Sequence, residues 1–271
     1  MTDSPDWVPE GVDVTVPDAS RVYDYALGGV HNFAVDRAFW DQTAKAMPNA
    51  AAMARANRAF LGRAVRELVA AGVTQFLDVG SGIPTLGNVH EVAQDANPRA
   101  RVVYVDKDPI AVQQSRALLS GNRLARAIEA DLRDLDAILY HRQVQELLDF
   151  SQPIAVLLVA VLHFIPDSDQ PATIISRITD VLAPGSYLVV SHAVPANTEQ
   201  GRAAQEAARK LYERTPTPGT IRSRDEVAAL IDERFDLLEP GLVAAPSWRP
   251  EPDETDDPEQ HAGLVAVARR R

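Results

Sequence analysis

The chain has 271 residues, of which 46% are hydrophobic and 24% are charged, so it can bury a sizeable core and wholesale disorder is excluded. It contains no cysteine, which excludes disulfides, thiolate metal sites and a cysteine nucleophile. The formal net charge of −11 argues against broad electrostatic binding to nucleic acid or to an anionic membrane, so neither is expected as a partner.

The N-terminal part of the chain predicts an arm followed by helices. Residues 1–19 contain three prolines and no apolar period, which predicts a flexible arm. The start has no basic and apolar secretory leader, and no apolar run reaches the length of a membrane helix, so we expect a cytoplasmic protein. From 33 to 71, apolar residues recur at three- and four-residue steps, which predicts two amphipathic helices broken near Pro48. Residues 20–72 are therefore expected to form a helical cap.

After residue 72 the chain changes to short apolar runs separated by turn residues and helical patterns. Five strands are predicted, at 74–80, 100–106, 126–131, 154–162 and 185–192. Continuous Val and Leu runs without alternation are typical of strands covered on both faces, as in a parallel sheet. Strand followed by helix, repeated, predicts right-handed βαβ units of a doubly wound, Rossmann-like α/β fold. Residues 73–193 form this predicted ligand-binding core.

The last part of the chain, residues 194–271, departs from that rhythm. Two helices and two strands are predicted in it, at 198–214, 223–233, 235–243 and 262–270. Ser223 and Glu226 form a capping box at the start of the second helix. The acidic, proline-rich linker between the strands is expected to be an exposed loop without a catalytic role. One domain over residues 20–271 follows, with a seven-stranded sheet that is mostly parallel and has an antiparallel last strand.

A glycine-rich turn follows the first predicted strand and precedes a helical pattern. Its sequence is LDVGSGIPT, residues 77–85. Glycines at this position let a ligand approach the backbone closely, as in nucleotide-binding turns. The next strand ends in Asp106, 26 residues after Gly80, where a carboxylate could accept hydrogen bonds from a ribose diol. The alternative is a plain tight turn and a solvated acid.

The chemistry of this turn distinguishes two ligand classes. A dinucleotide uses free amides for its pyrophosphate and a third glycine for close helix packing, but Pro84 removes a donor and Thr85 occupies the third position. S-adenosylmethionine has no phosphate and carries a sulfonium and an amino group, so the acidic Asp78 suits it. The residues favour S-adenosylmethionine, and an NAD(P)-dependent oxidoreductase stays as a weaker alternative.

Four motifs, LDVGSG, VYVDKDP, EADLRD and IAVLLVAVLHFIPD, resemble those of class I S-adenosylmethionine-dependent methyltransferases, in the same order, over residues 74–193. The segments RVYDYALGGVHNF, ANRAFLGRAV and FLDVGSGIPTLGNVHEVAQ resemble, more narrowly, an actinobacterial S-adenosyl methyltransferase family formerly catalogued as a domain of unknown function. The resemblance implies a methyltransferase that uses S-adenosyl-L-methionine on an unidentified small molecule. The Asn-Pro-Pro-aromatic motif of amino-methylating enzymes is absent, so amines within nucleobases are not expected as acceptors.

The superfamily pattern also implies roles for individual residues. It assigns the methionine moiety to Asp78, Gly80 and Gly82, and the ribose to Asp106. Asp131 and Leu132 would contact adenine, although Asp131 could equally be the N-cap of a short helix. Residues 160–163 would lie beside the methyl group. The full predicted cofactor set is Asp78, Gly80, Ser81, Gly82, Asp106, Lys107, Asp131, Leu132, Ala160, Tyr23 and Arg58.

The segment before the core could form a lid over the site. Tyr23 and His31 lie on either side of Gly28-Gly29, a pair that tends to stop a helix. The alternative is ordinary packing of an N-terminal helix. Arg58, in a following helix, could pair with the cofactor carboxylate or could be an exposed helical arginine.

Histidines supply the candidate bases. His163 and His192 follow the fourth and fifth strands, at the sheet edge where ligands bind, and either could act near neutral pH. His163 and His31 are the candidate catalytic residues, and a structural role is the alternative for each. The histidine spacing matches no metal motif, so no metal is expected. Because no acceptor motif is recognisable, an S-adenosylmethionine-binding regulator without transfer activity stays as a second hypothesis.

Overall fold

The computed structural model of the chain describes residues 8–9, 12–85, 87–252, 254 and 256–271. Residues 1–7, 10 and 11 of the predicted flexible arm lie outside the described residues. In the described part of that arm, Val8 and Val12 pack against Ile83 and Ile110. This stretch therefore contacts the core close to the glycine-rich turn.

The N-terminal cap contains three helices: α1 (Ala19–Ala26), α2 (Ala34–Ala46) and α3 (Ala50–Ala70). The two helices predicted between residues 33 and 71 are α2 and α3, and the chain leaves helical geometry around Pro48, as expected. Asp18 caps α1 by accepting a hydrogen bond from the Ser20 amide at 2.8 Å. After α1, Gly28 adopts a left-handed conformation with φ of 84°, which ends the helix.

The described residues form one sheet of eight strands, in the order β3-β2-β1-β4-β5-β8-β6, with β7 paired to β8. The strands are β1 (Gln75–Val79), β2 (Arg101–Asp106), β3 (Ala125–Glu129), β4 (Ala155–Leu158), β5 (Tyr187–Ala193), β6 (Phe235–Leu237), β7 (Val243–Ala244) and β8 (Gly263–Arg270). The first five strands are parallel, and β8 is antiparallel to its neighbours. The predicted fold class is confirmed, and there are eight strands instead of seven because one predicted strand is divided into β6 and β7.

The helices after β1 are α4 (Val89–Ala96), α5 (Pro109–Leu118), α6 (Leu135–Leu139), α7 (Arg142–Leu147), α8 (Pro171–Val181), α9 (Glu199–Tyr212) and α10 (Arg224–Leu230). α10 begins with the predicted capping box, since the Ser223 amide donates to Glu226 at 2.7 Å and the Glu226 amide donates to Ser223 Oγ at 3.3 Å. It ends three residues earlier than predicted. No helix of the described residues is both long and apolar enough to cross a lipid bilayer.

Two predicted strands end earlier than their apolar patterns. The fourth was predicted through residue 162, but β4 stops at Leu158 because Ala160 takes a left-handed conformation, with φ of 57°. Its amide donates to Ser191 Oγ at 2.7 Å instead of continuing the ladder. The strand predicted over 235–243 is divided into β6 and β7 by the turn at Pro240-Gly241, where Gly241 has φ of 85°.

Both faces of the sheet are covered by apolar side chains. On β1, Leu77 packs in one buried cluster with residues of α6, α7 and α8, and Phe76 packs in another with residues of α3 and α4. Adjacent residues of a strand point to opposite faces, so this division is the one expected for a sheet between two helical layers. The carboxyl ends of the parallel strands are left to form the site.

The acidic linker contacts α3, which the sequence did not predict. Glu251 pairs with Arg66, and Glu254 pairs with Arg63. Arg63 is buried and also donates to the carbonyls of Trp248 at 2.9 Å and Ala245 at 2.7 Å. Part of the linker is therefore fixed to the helical cap through one buried arginine.

Candidate functional site

A cavity of about 530 Å³ opens at the carboxyl ends of the parallel strands, under the N-terminal cap. That volume is in the range of small-molecule sites. The structure brings together at this cavity every residue of the predicted cofactor set: Tyr23, Arg58, Asp78, Gly80, Ser81, Gly82, Asp106, Lys107, Asp131, Leu132 and Ala160. His163 and His192 also line it, whereas His31 is not among the described residues of its wall.

The glycine-rich turn is held against the end of β2. Gly80 and Gly82 have φ of 75° and 66°, values that favour glycine. A Cβ added at Gly80 would lie 2.5 Å from a methyl group of Val161, so a larger residue would have to displace this side chain of the segment that follows β4. The amides of Gly80 and Ser81 donate to the Val105 carbonyl at 2.8 and 3.1 Å, which fixes the turn beside β2.

Two buried carboxylates, Asp78 and Asp106, mark one end of the cavity. Burial raises the pKa of Asp78 to about 7; Arg58 opposes this shift and the Asp106 charge adds to it. Burial also raises the pKa of Asp106 to about 6, against hydrogen bonds from the amides of Asp108 at 2.9 Å and Gly82 at 2.7 Å. A cationic ligand would stabilise the ionised form of both groups.

Arg58 brings a cation to the same end of the cavity. Its Nε atom is buried and has no hydrogen-bond partner among the described residues. Its charge lowers the pKa of Asp78, but the described residues place no carboxylate within ion-pair distance of it. The side chain is half-buried, so Arg58 is not the exposed helical arginine that was the alternative from the sequence.

α1 is fixed to α3 and to the glycine-rich turn. The Tyr23 hydroxyl donates to the Ala54 carbonyl at 3.0 Å. The buried Asp24 carboxylate accepts from the His31 amide, the Asn32 side chain and the Thr85 hydroxyl, each at 2.9 Å. The sequence showed Thr85 only as a missing glycine. Its hydroxyl in fact joins the helical cap to the turn, and the polar residues around Gly28-Gly29 were the one signal of this network.

Asp131 is held by a neighbouring cation. Arg133 donates to it from both its amide and its Nε, at 2.9 Å in each case, and lowers its pKa. Asp134, which directly precedes α6, is the N-cap of that helix and accepts from the Ala137 amide at 3.1 Å. The capping role considered for Asp131 therefore belongs to Asp134, while Leu132 is buried at the cavity wall.

The two cavity histidines differ in the use of their nitrogens. His192 Nδ1 donates to the Ala193 carbonyl at 2.7 Å, so its Nε2 accepts from Arg222, also at 2.7 Å. Burial lowers the pKa of His192 to about 4 and that of His163 to about 3, so both rings are neutral near pH 7. His163 Nδ1 is buried and has no partner among the described residues. His163 therefore keeps an unused hydrogen-bonding group, and His192 does not.

Arg222 lies beside the two cavity histidines, and sequence reasoning missed it. It is buried and donates to the carbonyls of Leu162 at 3.2 Å and Ile165 at 2.8 Å, and to Asp167 at 2.6 Å. These contacts fix the 3₁₀ turn that carries His163. A lone arginine after a TPTPGT segment gives no periodic or motif signal, so only the fold shows this role.

Comparison with known proteins agrees with this geometry. A family model described as S-adenosyl methyltransferase matches residues 5–271. A protein from Thermobifida fusca, provisionally described as a methyltransferase, is 40% identical with a TM-score of 0.90, over 98% of this chain and 99% of that one. A duf574 family protein from Streptomyces avermitilis is 34% identical with a TM-score of 0.90, over 96% and 99%. Mitomycin 7-O-methyltransferase, 19% identical with a TM-score of 0.51 over 93% and 68%, shares the fold alone. No curated protein matches the chain significantly.

Proposed function

Since the chain belongs to the S-adenosyl methyltransferase family, we propose that its cavity binds S-adenosylmethionine through the residues gathered at the strand ends and that the methyl group passes to a small molecule. The resemblance predicted from the sequence is confirmed, as are the enzyme class and the cofactor. The roles of single residues and the acceptor class belong to the proposal.

One observation carries the cofactor assignment: a buried carboxylate and an unpartnered guanidinium face the same end of the cavity, beside the glycine-rich turn. Asp78 receives no hydrogen bond from any described residue, and Arg58 Nε is buried without a partner. Buried polar groups without hydrogen-bond partners are costly unless a ligand pairs with them. The amino and carboxylate groups of the methionine moiety carry the two complementary charges. The residues present therefore fit the cofactor.

Asp106 and the turn would hold the sugar. Each oxygen of Asp106 accepts one backbone hydrogen bond and keeps capacity for another, which a ribose diol can supply. Lys107 is its neighbour at the cavity wall, and Ser81 lies in the turn. For the adenine base, Leu132 would offer an apolar surface and Asp131 a hydrogen-bond acceptor. The Asp131 carboxylate also accepts a hydrogen bond from Arg133.

When bound, S-adenosylmethionine would supply a methyl group on a sulfonium sulfur, a leaving group that would keep the bonding electron pair as a neutral thioether when the acceptor lone pair takes the methyl group. The chain needs chiefly to align the acceptor and to exclude water. Ala160 lies at the rim of β4 in a left-handed conformation, where strained backbone is typical of a working site. Residues of the N-terminal cap line one side of the cavity and would shield a bound acceptor from water.

Calorimetric titration tests the cofactor assignment. We expect S-adenosylmethionine and S-adenosylhomocysteine to bind and NADH to give no heat. Binding of NADH alone would contradict the proposal and favour the oxidoreductase. Enzyme incubated with methyl-labelled S-adenosylmethionine and an extract of small metabolites should label a small compound. Label that appears only in protein or nucleic acid would contradict a small-molecule acceptor, and no label in any fraction would favour the regulator.

A further inference from the structure

A second part of the cavity, which we call its aromatic end, is lined mainly by rings, and the charged side chain next to it is the Asp18 carboxylate. His163, Phe164 and Tyr212 form a row that we call the aromatic wall, with ring centroids 4.2 Å apart for His163 and Phe164 and 6.1 Å apart for Phe164 and Tyr212. Phe39 of α2 supports Tyr212 edge-to-face at 4.9 Å. The wall is therefore held by the helical cap and offers the faces or edges of several rings to a ligand.

The cap adds soft apolar surface to the same cavity. It is lined by Trp40 of α2, by Met47, which directly follows that helix, and by Met53 of α3. Thioethers are polarisable and adapt to the edges of aromatic ligands, and indole offers a broad apolar face. Such surfaces bind ring systems by area and shape and need few hydrogen bonds.

Charge at this end excludes one class of acceptor. The described cations that line the cavity, Arg58, Lys107 and Arg133, act on Asp78 and Asp131 at the cofactor end. Arg222 lies near His163, but Asp167, His192 and two carbonyls already occupy its donors. Near Tyr212 the charged neighbour is a carboxylate, Asp18, whose charge adds to the effect of burial in raising the pKa of that phenol to about 12. An anionic group here would be desolvated without a counter-ion.

Resting on the proposed function, we propose that the acceptor is a ring-bearing, mainly apolar molecule with no anionic group, which lies against the aromatic wall with a polar atom beside His163. Nδ1 of His163 is buried and therefore out of reach of a ligand, whereas Nε2 has no hydrogen-bond partner among the described residues and is the nitrogen that would meet that atom. At neutral pH the imidazole is uncharged, so it offers a hydrogen bond and no positive charge.

A matched pair of probes tests this proposal: 1-naphthol, neutral near pH 7, and 1-naphthoate, which has the same rings and a carboxylate. Each is titrated into the protein saturated with S-adenosylhomocysteine. We expect 1-naphthol to bind about tenfold or more tightly than 1-naphthoate. Phe164→Ala should weaken 1-naphthol binding about fivefold through loss of ring contact. Tyr140→Ala, at a 73% exposed ring outside the cavity, is the control and should change nothing.

A variant that adds a charge to the cavity tests the acceptor proposal without removing an aromatic ring. Met53→Lys places an ammonium at the apolar end and should shift the ratio of the two Kd values about tenfold toward 1-naphthoate. Unchanged S-adenosylhomocysteine binding shows that each variant is folded. If the wild-type protein binds S-adenosylhomocysteine but prefers 1-naphthoate, or binds neither probe, the acceptor proposal is overturned while the cofactor assignment stands. Failure to bind S-adenosylhomocysteine would instead count against the proposed function.

Discussion

Arg58 illustrates how one unpaired side chain can be tested without ambiguity. Arg58→Met keeps the length of the helical side chain but removes the charge proposed to meet the cofactor carboxylate. We expect S-adenosylhomocysteine to bind about 10–100-fold more weakly, the range for loss of a charge-assisted hydrogen bond. 5′-Methylthioadenosine lacks the amino acid part, so its Kd should stay within about twofold.

The matched control is Arg55→Met, an exposed arginine one turn earlier in α3. Its Kd for both ligands should equal that of the wild type. Equal weakening of both ligands by Arg58→Met would show that the residue shapes the whole cavity and does not bind the carboxylate.

The buried Asp78 carboxyl predicts that binding of S-adenosylmethionine depends on pH. Its pKa in the free protein is raised to about 7, mainly by burial, so below that pH the carboxyl is largely protonated. Pairing with a cationic ligand requires the ionised form, so a proton must be released and affinity must rise with pH, by up to about tenfold per pH unit below the pKa. The rise should level off above pH 7 to 8.

Calorimetry between about pH 5.5 and 8.5, in two buffers of different ionisation enthalpy, measures both the Kd and the protons released. Asp78→Asn should bind S-adenosylmethionine more weakly and lose most of the pH dependence. A wild-type Kd that does not change between about pH 5.5 and 7 would show that Asp78 does not meet the cation.

Among the elements, prediction from the sequence succeeded where the determining signal is local. β1, β2, β5 and β8 were located within one or two residues because their apolar runs are bordered on at least one side by glycine or an acidic residue. The end of β4 could not be predicted, since the sequence stays apolar through Leu162. What stops that strand is the left-handed Ala160 and its bond to Ser191, a contact between distant parts of the chain.

The loop after α1 allows a test of the hydrogen-bond network around Asp24, which the sequence indicated only in part. A Cβ at Gly29 would lie 1.9 Å from Asp24 Oδ1, whereas at Gly28 it would meet open space. Gly28→Ala should cost about 1 kcal/mol of unfolding free energy, from left-handed strain alone. Gly29→Ala should cost about 3 kcal/mol, because Asp24 must leave its three donors or the loop must move.

Urea unfolding measures the two costs, and titration with S-adenosylhomocysteine adds a second readout. Since Asp24 holds Thr85 beside the glycine-rich turn, Gly29→Ala should also weaken binding severalfold, and Gly28→Ala should not. Equal unfolding costs with unchanged affinity in both variants would show that the Asp24 network does not support the turn.

Across the whole molecule, the cavity walls come chiefly from three parts of the chain that are far apart in sequence: the cap, the strand ends, and the end of α9 with the segment that follows it. The strand-end residues were predictable because each belongs to a motif at a predicted strand end, and parallel strands bring such ends to one edge. Tyr212 and Arg222 carry no such pattern, and their positions depend on how α9 and the following loop pack on the cap. The cofactor end was therefore visible in the sequence, while the aromatic wall was not.

The same long-range assembly predicts which arginine of α3 holds the ends of the chain together. Arg63 is buried and joins α3 to Trp248, Ala245 and Glu254, about 190 positions away, whereas Arg66 pairs with Glu251 at the surface, each side chain being 50% exposed. Arg63→Met should lower the free energy of unfolding by about 3 kcal/mol, since it leaves buried carbonyls and a half-buried carboxylate without a donor. Arg66→Met should lower the free energy of unfolding by at most about 1 kcal/mol. Added salt should abolish this effect, because it screens a surface ion pair. Urea denaturation at low and high salt measures both values, and equal costs for the two variants would mean that the linker is not anchored through Arg63.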